Sequence, residues 1–114
     1  MQLTHQDFDG LRVVRVDETR IDAACAIQFK DTMRALSDSG PARIILDMGR
    51  VEFLDSSGLG AVVAALKAIR HGQSLDLAAL HPTVMRVFHL TRMDTVFTIH
   101  PDVTTAIEGI ANAS

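Results

Sequence analysis

Apolar and polar positions alternate with two different periods along this chain, and the changes of period lay out its elements. Leu3–Phe8 and Leu11–Val16 read as two strands, and Asp9-Gly10 between them is a strong two-residue hairpin turn. After Asp22 the period lengthens. Ala26, Phe29, Met33 and Leu36 fall on one face of a helix predicted over 23–37, with Asp22 as its cap and Ser39-Gly40-Pro41 as its stop. Arg43–Asp47 is a short apolar run of the buried-strand type, and Val51-Glu52-Phe53-Leu54 is a second apolar cluster. Leu59, Val62, Val63, Leu66 and Ile69 then recur at helical spacing, which predicts a helix over 57–70 ended by His71-Gly72. A strand near 75–80 follows. Pro82 suits the first turn of a helix over 83–90 that holds Val84, Val87, Phe88 and Leu90. A last strand is predicted over 95–99. Pro101 opens a helix over 102–112 with Val103, Ala106, Ile107 and Ile110 on one face.

The order β-β-α-β-α-β-α-β-α predicts an α/β fold. The later alternation implies parallel strands joined by crossover helices, and the opening hairpin makes the sheet mixed. Residues 1–114 read as one domain, long enough to bury a core without a metal or disulfide. Ile45, Leu46, Val63, Leu66 and Phe88 are the expected core.

Composition narrows the function classes. The net charge is −3, with no basic run, which argues against a phosphate-backbone binder. Five Phe with no Trp or Tyr give no stacking platform for single-stranded nucleic acid. The lone Cys25 allows no intrachain disulfide or cysteine zinc site and reads as a small buried group near a helix start. Charges at Asp7, Asp9, Arg12, Arg15 and Asp17 break any secretory core, and the longest apolar run, Ala61–Leu66, is too short to span a bilayer. The expectation is a cytoplasmic protein with no membrane or nucleic-acid partner.

The candidate chemistry is at Asp55-Ser56-Ser57-Gly58, at a strand-to-helix junction. A helix N-terminus has unpaired N–H donors and partial positive charge. A serine there can cap the helix, or accept a phosphoryl group worth about −1.5 to −2 in charge. A hydrolase elbow does not fit, because Leu54 or Asp55 stands where its first glycine belongs. No phosphate-cradling loop is present, so any kinase activity belongs to a partner, and no cofactor is expected. His5, His71, His81, His89 and His100 show no metal-ligand spacing and read as surface turn residues. Gly58 and Gly60, early in a helix, predict a close backbone approach by a neighbour or a docking partner. Asp55 suits an Asx turn or cap, and beside a serine it can also fix the hydroxyl.

The stretch Arg43 to Ile69 resembles the STAS domain, the sulphate-transporter and anti-sigma-factor-antagonist domain. Ile-Ile-Leu-Asp, then Phe-Leu-Asp-Ser-Ser-Gly-Leu-Gly, then an Ala/Val/Leu helix carry the resemblance. Ile21-Asp22, His81-Pro82 to Phe88 and the closing helix extend it over nearly the whole chain. It is closest to free-standing bacterial anti-sigma factor antagonists. The resemblance implies a non-enzyme that binds an anti-sigma factor, itself a GHKL-type serine kinase, and so releases a sigma factor. It implies phosphorylation of Ser56 by that kinase and dephosphorylation by a PP2C-type phosphatase. It implies a partner-binding face of Asp22, Asp55, Ser56, Ser57, Gly58, Leu59 and Gly60. The loop Asp17–Asp22 departs from the family pattern, lacking a glycine and running one residue longer. The alternative reading is a STAS adaptor subunit of a lipid or anion transport system; the serine beside Asp55 favours the switch.

Overall fold

The computed structural model describes the backbone of residues 1–112 and the side chains through Gly109. β1 (Leu3–Phe8) and β2 (Leu11–Val16) pair antiparallel, with Phe8 opposite Leu11. Gly10 makes the turn at φ 70°, a left-handed conformation that glycine adopts without steric cost. Then come β3 (Arg20–Ile21), α1 (Ala26–Asp38), β4 (Arg43–Asp47), β5 (Phe53–Leu54), α2 (Ser56–Lys67), β6 (Ser74–Ala78) and α3 (Pro82–Leu90). A 3-10 turn at Met93–Thr95, β7 (Ile99–His100) and α4 (Val103–Asn112) complete the chain order. The main sheet runs β1-β2-β4-β6-β7, and every pair after the first is parallel. It is the mixed α/β sheet that the residue pattern predicts.

The two faces of the sheet are covered unequally. Val14, Val16, Ile44, Leu46, Leu75 and Leu77 meet Phe29 and Met33 of α1, Ala61, Val62 and Ala65 of α2, and Val84 and Phe88 of α3. On the other face, Leu11, Val13, Ile45 and Ala78 pack with Ala106 of α4. Ile110, assigned to that apolar face from sequence, lies outside the described side chains. Because α1 and α2 each connect neighbouring parallel strands on the same face of the sheet, they lie side by side and run the same way. The Ala23 N–H in the turn before α1 donates to Asp55 Oδ2 at the start of α2, at 3.2 Å. Beyond their C-terminal ends, Arg70 donates to the carbonyls of Ser37 and Gly40 at 3.1 and 2.9 Å.

Several boundaries differ from the sequence pattern, each for a local reason. α1 begins at Ala26, because Asp22 closes a turn instead of capping the helix: its Oδ1 accepts from Ala24 N at 3.1 Å. Cys25 takes the cap position with no side-chain cap bond and is half-buried, not the fully buried group expected. The cluster Val51–Leu54 yields β5, which pairs in parallel with β3 in a separate two-stranded sheet. The helix expected over 57–70 starts at Ser56 and ends at Lys67, and Ala61, Val62 and Ala65 form its buried face. Val63 and Leu66 are therefore only partly buried, packed on the core edge, whereas Ile45, Leu46 and Phe88 are fully buried. β6 stops at Ala78 because Ala79 turns into the left-handed region, φ 63°. The strand expected over 95–99 is reduced to Ile99–His100: Phe97 instead plugs the core edge-on to Phe88, with ring centroids 5.8 Å apart, while Val96 is exposed.

His100 is not a surface turn residue. Its Nε2 lies 2.9 Å from Asp76 Oδ2, and both side chains are mostly buried. His81 Nε2 likewise lies 2.7 Å from the Gly49 carbonyl oxygen.

Two predictions concern the core and its edge. Phe88 is fully buried against Phe97 and the sheet. Phe88→Ala should cost about 3–5 kcal/mol in chemical denaturation; a loss below about 1 kcal/mol would contradict that packing. At the sheet edge, Arg12 reaches over β1 to donate to both oxygens of Asp7, at 2.7 and 3.0 Å. It also donates to the Leu36 carbonyl and to Ser39 Oγ. The hydrogen bonds from Arg12 hold the Asp7 carboxyl below its ordinary pKa. A depressed carboxylate stabilises the fold above its unfolded pKa of about 3.9, and that contribution is lost as pH falls through the folded value. Stability measured from about pH 5 down to about pH 2 should therefore fall less steeply for Asp7→Asn than for the native chain. Equal slopes would show that the Arg12 clasp does not contribute.

Candidate functional site

The site is the meeting point of three short segments. β5 delivers Phe53 and Leu54 beside β3, with Arg20 opposite Phe53 and Ile21 opposite Leu54. Two further backbone bonds tie the same segments together, from Glu52 N and Phe53 N to the Thr19 carbonyl at 2.7 and 3.2 Å. The chain then turns sharply at Asp55, which has extended backbone at φ −93° and ψ −175°, and α2 begins at once.

Asp55 is the cap. Its Oδ1 accepts from Gly58 N at 2.8 Å, and its carbonyl accepts the first helical bond from Leu59 N at 2.9 Å. Its other oxygen accepts from Ala23 N. One carboxylate thus satisfies a donor at the start of α2 and a donor in the turn that leads to α1. Since Asp55 does the capping, Ser56 and Ser57 have no capping duty, and both are exposed in the first turn. Their own N–H groups point out of the helix start, where partial positive charge favours an anion.

Gly58 is required by packing. A Cβ there would collide with the Ile21 carbonyl oxygen and stand 2.8 Å from its carbon. The close approach predicted from the two glycines therefore holds at Gly58, and its neighbour is β3. At Gly60 a Cβ would meet nothing within 4 Å, so no neighbour in the fold demands glycine there. Leu59 is half-buried against the core.

The residues marked from sequence do come together. Asp55, Ser56, Ser57, Gly58, Leu59 and Gly60 form the first turns of α2, and Asp22 is one residue from the Ala23 N–H that Asp55 holds. Asp22 is also paired with Arg20, whose Nε lies 3.0 Å from its Oδ2. Arg20 and Phe53 are the residues that sequence reasoning missed. The guanidinium lies 4.9 Å from the centre of the Phe53 ring, and the ring is 44% exposed. The signal was present as an apolar residue in a two-residue strand, but nothing local gives its pairing partner. Among the described residues no group of three or more His, Cys, Asp or Glu could hold a metal ion, and no helix is long and apolar enough to cross a membrane.

The Asp55 bridge makes a prediction of its own. Asp55→Ala should cost about 1 kcal/mol as a lost cap, and it should also free Ala23 N–H. Asp55→Asn keeps one acceptor oxygen for Gly58 N but not the second for Ala23 N. In hydrogen exchange, Asp55→Asn should therefore deprotect Ala23 while leaving Gly58 protected. Equal protection at both amides would remove the bridging role.

Comparison with known proteins places this geometry. The sequence model of the STAS domain matches residues 2–106. BtrV of Bordetella bronchiseptica, named as a proposed anti-sigma factor antagonist, is 31% identical over 87% of this chain and 85% of its own. The anti-sigma-B factor antagonist of Listeria monocytogenes is 28% identical over 87% of this chain and 86% of its own. The crystal structure of an anti-sigma factor antagonist from Mycobacterium paratuberculosis superposes with a TM-score of 0.87 at 27% identity, over 96% of this chain and 93% of that one. With a family match across nearly its whole length and a mixed sheet of the same architecture, the chain belongs to the STAS domain family of anti-sigma factor antagonists.

Proposed function

We propose that this chain is a phosphorylation-switched anti-sigma factor antagonist. In the unphosphorylated form it binds an anti-sigma factor that is itself a GHKL-type serine kinase, and a sigma factor is released. The kinase phosphorylates Ser56, which ends binding, and a PP2C-type phosphatase restores the active form. The chain is a substrate and binding partner, acting in the cytoplasm, and not an enzyme. The docking face comprises Asp22, Asp55, Ser56, Ser57, Gly58, Leu59 and Gly60.

The observation that carries this reading is the division of labour at the start of α2. Asp55 caps the helix, and Ser56 stands exposed beside it with its hydroxyl unneeded by the fold. A phosphate there meets the free N–H donors of the helix start, so the fold tolerates it. A partner does not. The phosphate adds a dianion beside Asp55 in the docking face. Like charges about 4 Å apart repel by roughly 1 kcal/mol in water and about 4 kcal/mol at an effective dielectric of 20. A net loss of about 3 kcal/mol is more than a hundredfold in affinity. The transport-adaptor reading gives the serine no task, and the relatives described above are named for sigma-factor regulation, not transport.

The test uses the anti-sigma kinase encoded nearest this chain's gene, ATP, and four forms of the protein. Native protein should gain one phosphate by intact mass, and Ser56→Ala should gain none while binding with native affinity. The phosphorylated form should bind about a hundredfold more weakly, and Ser56→Asp should lie between, since it carries less charge. Equal binding by native and phosphorylated forms would sink the switch. Phosphate found on Ser57 would move the residue assignment and leave the mechanism.

A further inference from the structure

Between α1 and α2, away from the serines, lies an open groove of about 340 Å³ lined by Lys30, Asp31 and Arg34 of α1 and Ala64, Lys67 and Ala68 of α2 and its end. The groove collects both lysines of the chain. Ala64 and Ala68, half-buried and one turn apart, make a shallow apolar floor, and the three cations and Asp31 are exposed around it. Among the described residues, the ion pairs involve Arg12, Arg15, Arg20, Arg50, His89 and His100. Lys30, Arg34 and Lys67 are in none of them. A chain of net charge −3 therefore holds a local excess of positive charge on one groove.

The fold does not ask for this arrangement. Lys67 is in the last turn of α2, where the helix dipole favours a cation. That argument does not reach Lys30 or Arg34, which are in the first half and the middle of α1. They stand one turn apart on the same helix, a spacing at which like charges repel, and α2 brings a third cation across from them; Asp31 and Asp38, three and four residues from Arg34, offset only part of this positive charge. An anion entering between them lowers the remaining repulsion.

We propose that the α1–α2 groove is a docking site for an acidic amphipathic helix of a partner protein. The partner's small apolar residues seat on Ala64 and Ala68, and carboxylates at one-turn spacing meet Lys30, Arg34 and Lys67. This is the helix-in-groove mode of recognition, with charge pairs at the rim setting register and association rate. An apolar floor between cations suits such a helix better than a nucleic-acid backbone, which needs a continuous basic surface and no Asp31 in its path. Ala64 lies eight residues beyond Ser56, about 12 Å along α2. The groove is thus a second contact region on the helix that carries the serine, and it does not depend on Ser56 being phosphorylated.

The probe is a fluorescein-labelled synthetic amphipathic helix with Glu at i, i+4 spacing and an alanine face. A peptide with Lys in place of Glu and a labelled DNA duplex serve as comparisons. Added to the 114-residue chain, the acidic peptide should shift the amide resonances of Lys30, Ala64, Lys67 and Ala68, and raising salt from about 0.05 to 0.5 M should weaken it sharply. Lys30→Glu/Arg34→Glu/Lys67→Glu should lower its affinity at least about tenfold, and the milder Lys30→Gln/Lys67→Gln pair should lower it less. Arg43→Glu/Arg86→Glu, a charge reversal on other exposed surface, should leave it within about twofold. Thermal unfolding of each variant checks that the fold is kept. Absence of binding, resonance shifts confined to other surfaces, equal affinity for the groove and control variants, or tighter binding of the DNA than of the acidic peptide would each overturn the proposal.

Discussion

The carboxylate of Asp55 joins two parts of the chain that are 32 residues apart. Its oxygens accept from Gly58 N in α2 and from Ala23 N in the turn before α1. Both are donors that a helix or turn leaves without an intrahelical partner. The position of the exposed serine therefore depends on a bond to a different element, not on α2 alone. β3 and β5 support the same junction from beneath, and the closeness of Gly58 to the Ile21 carbonyl locks α2 against them. Any larger residue at Gly58 would push the helix start off β3 and break the geometry that Asp55 closes.

That construction explains why the loop Asp17–Asp22 matters to the site. Its Thr19 carbonyl accepts two backbone N–H bonds from the segment entering β5, and its Arg20 spans from the Asp22 carboxylate to the face of Phe53. The loop contains no glycine, and it reaches β5 through ordinary extended pairing of Arg20 with Phe53 and Ile21 with Leu54. Arg20 of the loop and Phe53 of β5 together form an exposed cation–aromatic pair next to the start of α2.

Much of this was legible in the residue pattern, and the exceptions have a common physical origin. The hairpin, the buried strand Arg43–Asp47, four helices and the mixed sheet follow from periodicity and turn chemistry, which are local properties. The helix start at Ser56 was legible because a capping acid stands between an apolar strand and an apolar helix. The failures are all tertiary. Asp22 has the side chain of a helix cap, but the following N–H is taken by Asp55, and the helix starts later. Val96-Phe97-Thr98 has the composition of a strand, but the Phe97 ring is drawn into the core against Phe88, and pairing waits until Ile99. Leu66 and Val63 fit the helical period, yet Ala61, Val62 and Ala65 form the buried face, and Val63 and Leu66 flank it at the core edge. β3 and β5 have two residues each, too few for any periodicity to register.

The same features constrain the switch proposed above. A segment that orders and disorders on modification needs a weakly held element. Here the serine-bearing turn is held by a carboxylate cap, a backbone pairing and a glycine contact, all within a few residues of Ser56. Refolding it would break several of these at once, whereas a phosphate on the outer face of the first turn need break none. The more economical device is a rigid surface whose charge changes while its shape stays. In that device affinity is lost through repulsion and desolvation at the interface, and the fold supplies only the fixed position from which the charge acts.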